Sequence, residues 1–237
     1  MHQNDLEQRI NDITSRIKQA AERVGRSADE ICLIAVSKTF DVEDIKQVYE
    51  LGLRDFGESY VQEWQDKVSQ LPEDIRWHFI GHIQSNKIKY FEDHAHLIHG
   101  VDRSSVIKAL KKHNDHNYKV LLQVNVGQED QKSGADPASL EVLLEKITAL
   151  ENVSLLGLMT VPPYHNDSEK SRPYFKQLKQ LQRHAMEWLE SRGLLEQHPC
   201  SELSMGMSGD FEVAIEEGAT MVRVGSAIFG QRDYFNA

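Results

Sequence analysis

The sequence predicts an α/β protein: one (β/α)8 TIM barrel with an extra N-terminal helix, in a single domain over residues 1–237. Three observations carry this. Short apolar, β-branched runs alternate along the chain with stretches of three-four apolar spacing, the alternation of a parallel sheet with helical crossovers. The count is eight strands, each followed by a helix or helical turn, and a chain of 237 residues is a usual length for eight such units to close into a barrel. No Gly-x-Gly-x-x-Gly follows the first strand, which lowers the alternative, an open doubly wound sheet. No linker, low-complexity tract or short-period repeat interrupts the pattern.

Leu6, Ile10, Ile13, Ile17, Ala20 and Val24 form one face of a helix over about 4–24, stopped by Gly25 and expected to cap one end of the fold. The strands are expected at 31–38, 54–58, 76–81, 97–101, 119–126, 153–160, 202–205 and 221–225. Between them, Asp41 caps a helix containing Ile45 and Val48 that ends at Gly52. Val61, Trp64 and Val68 mark the next, and Ser85 to Phe91 gives only a short one. Asp102 caps a helix through Val106, Ile107 and Leu110. Asp136-Pro137 is a cap followed by proline at the first helical position, before Leu140, Leu143, Leu144, Ile147 and Leu150. The longest helix starts near Pro173, buries Phe175, Leu178, Leu181, Ala185 and Trp188 or Leu189, and stops at Gly193. Ser208 is expected to cap a short helix through Ala214 and Ile215, ended by Gly218.

Composition narrows the function. A hydrophobic share of 40% and a charged share of 27% suit an ordinary globular core. The formal charge of -10 with no basic stripe argues against a nucleic-acid surface. No apolar run reaches membrane-spanning length. The start, Met1 to Asp5, is polar and acidic, unlike a signal peptide. Cys32 and Cys200 give no disulfide framework, so a reducing cytoplasm is the expected address.

The apolar run Ile31 to Val36 leads into Lys38. A strand-end ammonium is costly to desolvate and gains no packing, which suits a lysine whose lowered pKa lets its amine attack a carbonyl. A lysine that snorkels to water is the simpler alternative. Its counterpart is Met221 to Gly230, a short strand, a Gly225-Ser226 turn and the first turn of a helix. In a barrel this last loop commonly holds phosphate through backbone N–H groups. Ser208, after the preceding strand, offers a second hydroxyl. Arg223 alternates with Val222 and Val224, so its side chain points into the barrel if the valines pack outward. There it needs a partner, an aromatic ring nitrogen or an internal carboxylate. An amine for an aldehyde, a cradle for a phosphate and an inward arginine together describe a pyridoxal 5'-phosphate (PLP) site.

Several motifs then carry a resemblance. They are Ala35 to Thr39, Phe56-Gly57-Glu58, Trp77 to Gly81, Gln84 to Lys87, Lys132-Ser133-Gly134, Gly157-Leu158-Met159, Leu203 to Ser208 and Met221 to Gly230. In that order the chain resembles, over nearly its whole length, the YggS/PROSC family of pyridoxal phosphate homeostasis proteins. The resemblance implies a barrel like the alanine racemase N-terminal domain, with Lys38 as the Schiff-base lysine, Arg223 facing the pyridine nitrogen, and Ser208, Gly225 and Ser226 holding phosphate. Ser59 stands where the family often has Asn, and Ser226 where many members have Thr. Met207, Met159, His78 and Ser59 complete the expected cofactor-binding set. A zinc pair from His78 and His82 is not expected, because the residues between them read as strand end and turn; His94, His96 and His99 read as surface histidines.

Arginine gives the ring nitrogen a hydrogen bond while keeping its own proton, so the ring is a weak electron sink. Racemisation needs a second acid/base, and the sequence ends at Ala237, twelve residues after Gly225, leaving no room for a domain to supply it. The expectation is a monomeric carrier or buffer of PLP with little turnover, with apo-PLP enzymes as recipients and no nucleic-acid or membrane partner. A small fold-type III racemase-like enzyme is the alternative, and a cofactor-free Schiff-base aldolase a third.

Overall fold

The computed structural model describes residues 3–92, 94–129 and 131–230; the polar start at Met1 and His2 and the end at Ala237 lie outside them. The strands β1 (Cys32–Val36), β2 (Asp55–Glu58), β3 (Arg76–Phe79), β4 (Ala95–Val101), β5 (Tyr118–Gln123), β6 (Val153–Met159), β7 (Glu202–Met207) and β8 (Met221–Val224) run parallel and close in sequence order. Closure is made by β8 on β1, with Cys32 opposite Met221 and Ala35 opposite Val224. The (β/α)8 barrel expected from the alternation is the fold observed.

Outside the strands lie α1 (Gln3–Arg23), α2 (Val42–Glu50), α3 (Val61–Val68), α4 (Ser104–Lys112), α5 (Leu140–Thr148), α6 (Arg172–Glu190), α7 (Phe211–Glu216) and α8 (Ser226–Phe229). A short 3-10 helix, Ser85–Tyr90, takes the place of a full helix after β3. The continuous core lies between the strands and this helical layer, through Phe56, Trp77, Ile98, Leu122, Leu158, Leu203, Val222 and Val224. Leu6, Ile10, Ile13, Ile17 and Ala20 are all buried as the spacing required, whereas Val24 lies past the helix end and is exposed. The helix α1 packs on α7 and α8.

Alternation along each strand puts a second set of side chains inside the barrel. Leu97, Leu121 and Met159 form a small apolar cluster there. Beside it the interior carries polar side chains: His78, His99, Ser204 and Arg223 are all buried. A barrel interior is normally filled by branched aliphatics, so a polar one marks a function.

Three boundaries depart from the expectation. β1 ends at Val36, not residue 38, so Lys38 sits in a turn closed by the Phe40 N–H on the Ser37 carbonyl. Ser208 does not cap α7; that position is Asp210, whose carboxylate accepts from the Met207 N–H. Asp102 stands one residue before the Arg103 cap of α4, and it accepts instead from the Gly134 N–H. In each case a loop requirement outcompetes a local capping preference.

Candidate functional site

The two halves of the site meet where the barrel closes. Val36 and Gly225 follow the last paired residues of β1 and β8, and a Cβ on Gly225 would approach the Val36 Cβ at 3.3 Å and its carbonyl at 3.4 Å. A side chain there would press on Val36, so the two strand ends lie in close contact. Beyond this contact Phe40 stacks on Phe229, ring centroids 4.5 Å apart. The turn bearing Lys38 and the helix following Ser226 are thus tied together by backbone pairing and by a ring stack.

The Lys38 turn is held from beneath by charges that the sequence did not announce. Lys67, buried on α3, donates to the Ser37 carbonyl at 3.0 Å, to Glu58 at 2.8 Å and to Glu63 at 2.9 Å. Ser37 Oγ donates to the same Glu58 oxygen at 2.7 Å, and the Thr39 N–H to Glu63 at 2.7 Å. Both neighbours of Lys38 are therefore clamped, while Lys38 itself is half-buried. Thr39 has φ 70, a conformation a β-branched residue adopts only when its surroundings enforce it. Glu58 is fully buried with one carboxylate oxygen unbonded, and burial pushes its carboxyl up. The signal in the sequence was Lys67 itself, three residues after Trp64 on the buried face of α3.

At the other half, the N–H groups of Gly225 and Ala227 both point at Ser208 Oγ, at 3.3 and 3.4 Å. Two backbone donors converging on one oxygen have the arrangement that anion cradles use.

Arg223 points into the barrel as its alternation with Val222 and Val224 required, and is 4% exposed. Among the described residues it donates to Ser204 Oγ at 2.5 Å and to the Thr160 carbonyl at 2.8 Å, both neutral oxygens. Burial pulls the guanidinium down to about 10, so it stays charged at physiological pH. The internal carboxylate that was its alternative partner takes no part in these bonds.

The remaining expected residues spread out. Met207, half-buried at the end of β7, stands opposite Arg223 in the ladder. Ser59 lines a small recess with Tyr60, His82, Gln84 and Lys87 at the strand C-terminal ends, and Gly81 passes so close to the Ser59 backbone that a Cβ would lie 2.1 Å from its carbonyl oxygen. Met159 is buried at 1% exposure in the interior apolar cluster. His78 lines a cavity of about 530 Å³ at the opposite end of the barrel, with Asp55, Arg76 and Glu202, so its route to the mouth is indirect. His94 and His96 are exposed as read, but His99 is fully buried, because its strand begins two residues earlier than expected.

The family described as "Alanine racemase, N-terminal domain" matches residues 9–233. A pyridoxal phosphate homeostasis protein of Aquifex aeolicus is 43% identical over 96% of this chain and 98% of its own. An unknown protein from Bifidobacterium adolescentis superposes with a TM-score of 0.87 at 32% identity, covering 95% of each chain. PipY of Synechococcus elongatus with PLP bound superposes with a TM-score of 0.74 at 32% identity, over 92% of this chain and 100% of that one. Among the described residues no helix is long and apolar enough to cross a membrane. By fold and by sequence identity over nearly its whole length, the chain belongs to the pyridoxal phosphate homeostasis protein family.

Proposed function

We propose that this chain binds pyridoxal 5'-phosphate through Lys38 and acts as a carrier or buffer in intracellular vitamin B6 homeostasis. The observation that carries the reading is the meeting of two turns: the clamped Lys38 turn after β1 and the Gly225-Ser226 cradle after β8. When bound, the cofactor supplies an aldehyde that captures an amine reversibly and a phosphate dianion that anchors it. The residues present fit that group. The Gly225 and Ala227 amides, with the hydroxyls of Ser226 and Ser208, form a donor set for phosphate. Arg223 can only donate, so it hydrogen-bonds the ring nitrogen without handing over a proton. Met207, Met159 and Ser59 flank the ring in this reading.

A weak electron sink suits holding and releasing the cofactor rather than driving carbanion chemistry. In this reading the protein is a monomeric carrier whose recipients are apo forms of PLP-dependent enzymes. Free cysteines at 32 and 200 suit a reducing cytoplasm.

The test is borohydride reduction of the loaded protein followed by peptide mass mapping. The adduct is expected on the peptide carrying Lys38 and absent from Lys38→Ala; stoichiometric labelling that survives this substitution overturns the assignment. Incubation with single-enantiomer amino acids in deuterated water separates carrier from racemase. A carrier leaves the α-proton in place.

A further inference from the structure

A column of buried polar side chains runs from the far end of the barrel to Arg223. Asp55, at the start of β2, meets His78 Nε2 at 3.0 Å; His78 Nδ1 meets His99 Nε2 at 2.9 Å; His99 Nδ1 meets Ser204 Oγ at 2.9 Å; and Ser204 Oγ accepts from Arg223 at 2.5 Å. His78, His99, Ser204 and Arg223 are each at most 4% exposed, so an unmade bond anywhere in the column would leave a buried polar atom unpaired. Asp55, 9% exposed, lines the cavity at that end and is gripped twice by Arg76.

For two neutral rings ending on a carboxylate, the direction of every bond is fixed: Arg223 can only donate, and Ser204, accepting from it, turns its own proton to His99 Nδ1. His99 then carries its hydrogen on Nε2 and donates to His78 Nδ1. His78 in turn carries its hydrogen on Nε2 and donates to Asp55, which as a carboxylate can only accept. Burial and the nearby positive charges hold His99 well below its ordinary range. Burial alone would raise Asp55, but hydrogen bonds from His78 and Arg76 hold it well below the usual carboxylate range. The His99 direction agrees with a neutral ring and the Asp55 direction with a carboxylate.

We propose that Asp55, His78, His99 and Ser204 form a directional hydrogen-bond relay that positions Arg223 and couples it to the charge state of the opposite end of the barrel. The proposal rests on Arg223 being the group that faces the cofactor ring. Coupling follows from the bonding itself. If the column gains one proton, His78 becomes doubly protonated and donates from Nδ1. His99 must then accept at Nε2 and donate from Nδ1 to Ser204, whose hydroxyl proton loses its acceptor while its oxygen now accepts from both sides. The Arg223 contact changes although no charge has moved beside it.

The groups facing His78 are Asp55 from β2, Arg76 on its own strand, His96 and His99 from β4, and Cys32 from β1. Those facing Arg223 are Ser204, Thr160 and, at longer range, His99 and Asp210. Cys32, Asp55 and His78 offer three ligand atoms within 4.8 Å of one another. The relay nevertheless places a hydrogen on the His78 nitrogen that a cation would need, and Arg76 already neutralises Asp55. That set is the anchor of the column.

Long-range 1H–15N NMR of histidine-labelled protein without cofactor tests the polarity directly. Both His78 and His99 are expected as Nε2–H tautomers at neutral pH, and an Nδ1–H on either ring overturns the relay. With PLP added, Ser204→Ala and His99→Gln are expected to shift the pH profile of the bound chromophore as Arg223→Gln does, and Ser204→Thr to restore it. A profile unmoved in Ser204→Ala and His99→Gln but moved in Arg223→Gln overturns the relay and leaves the Arg223 assignment standing. A profile that ignores Arg223→Gln as well overturns that assignment, and with it the reason for a relay.

Discussion

At the scale of single residues, the buried charge under the Lys38 turn makes the sharpest demand. Burial raises Glu58, so the folded chain holds that proton to higher pH than the unfolded chain does. Taken alone, the group favours folding below its unfolded value, and that contribution fades as pH climbs through the raised one. Lys67 compensates the ionised form. Lys67→Met is therefore expected to cost about 3–5 kcal/mol at neutral pH and much less in acid, where Glu58 carries its own proton. Urea unfolding at the two pH values checks this, and an equal deficit at both contradicts the pairing. Lys38→Ala, at a half-buried turn position, is expected to change stability by no more than about 0.5 kcal/mol; a loss of several kcal/mol would give Lys38 a structural role. Lys38 and Arg223 were legible because a lysine after an apolar strand and an arginine between two valines both break a local pattern. His99 and Ser204 were not, because their roles exist only across strands far apart in sequence.

At the scale of elements, the site depends on β1 and β8 arriving at the mouth together. Phe40 and Phe229 extend that pairing past the strand ends, and a ring pair contributes about 0.5–1.5 kcal/mol beyond its buried area. Phe40→Ala is expected to weaken PLP binding about threefold to tenfold while the Lys38 adduct still forms. Fluorescence or absorbance titration measures it, and unchanged affinity would show that the stack does not tie the two turns. The elements themselves were nearly all readable from periodicity and breakers, Asp136-Pro137 and Gly193 among them. The errors fell at their ends. Strand β1 stops early because the Ser37 carbonyl and the Thr39 N–H are claimed by α3, and Ser208 leaves the cap of α7 because the Gly225 and Ala227 amides face it. Propensity registers neither kind of long-range claim.

For the whole molecule, closure of β8 on β1 makes every strand a neighbour of two others, and α1 buries Leu6, Ile10, Ile13 and Ile17 against the same core. Each such side chain contributes roughly 1.5–3 kcal/mol, comparable in sum to the whole stability of a domain. Calorimetry is expected to show one unfolding transition that includes α1, and two resolved transitions would contradict a single cooperative domain. The eight-fold alternation announced the barrel, whereas the packing of α1 on α7 and α8 depended on which outer helices end the chain's circuit. In the proposed reading, function at this scale comes down to one amine and one anion cradle serving one ligand. A crystal structure of the PLP-loaded protein measures that directly. The expected result is continuous density from Lys38 Nζ to the ring, with the phosphate on the Gly225 and Ala227 amides and Ser208 Oγ moved from between them. Phosphate density elsewhere, or a covalent link from another lysine, would contradict it.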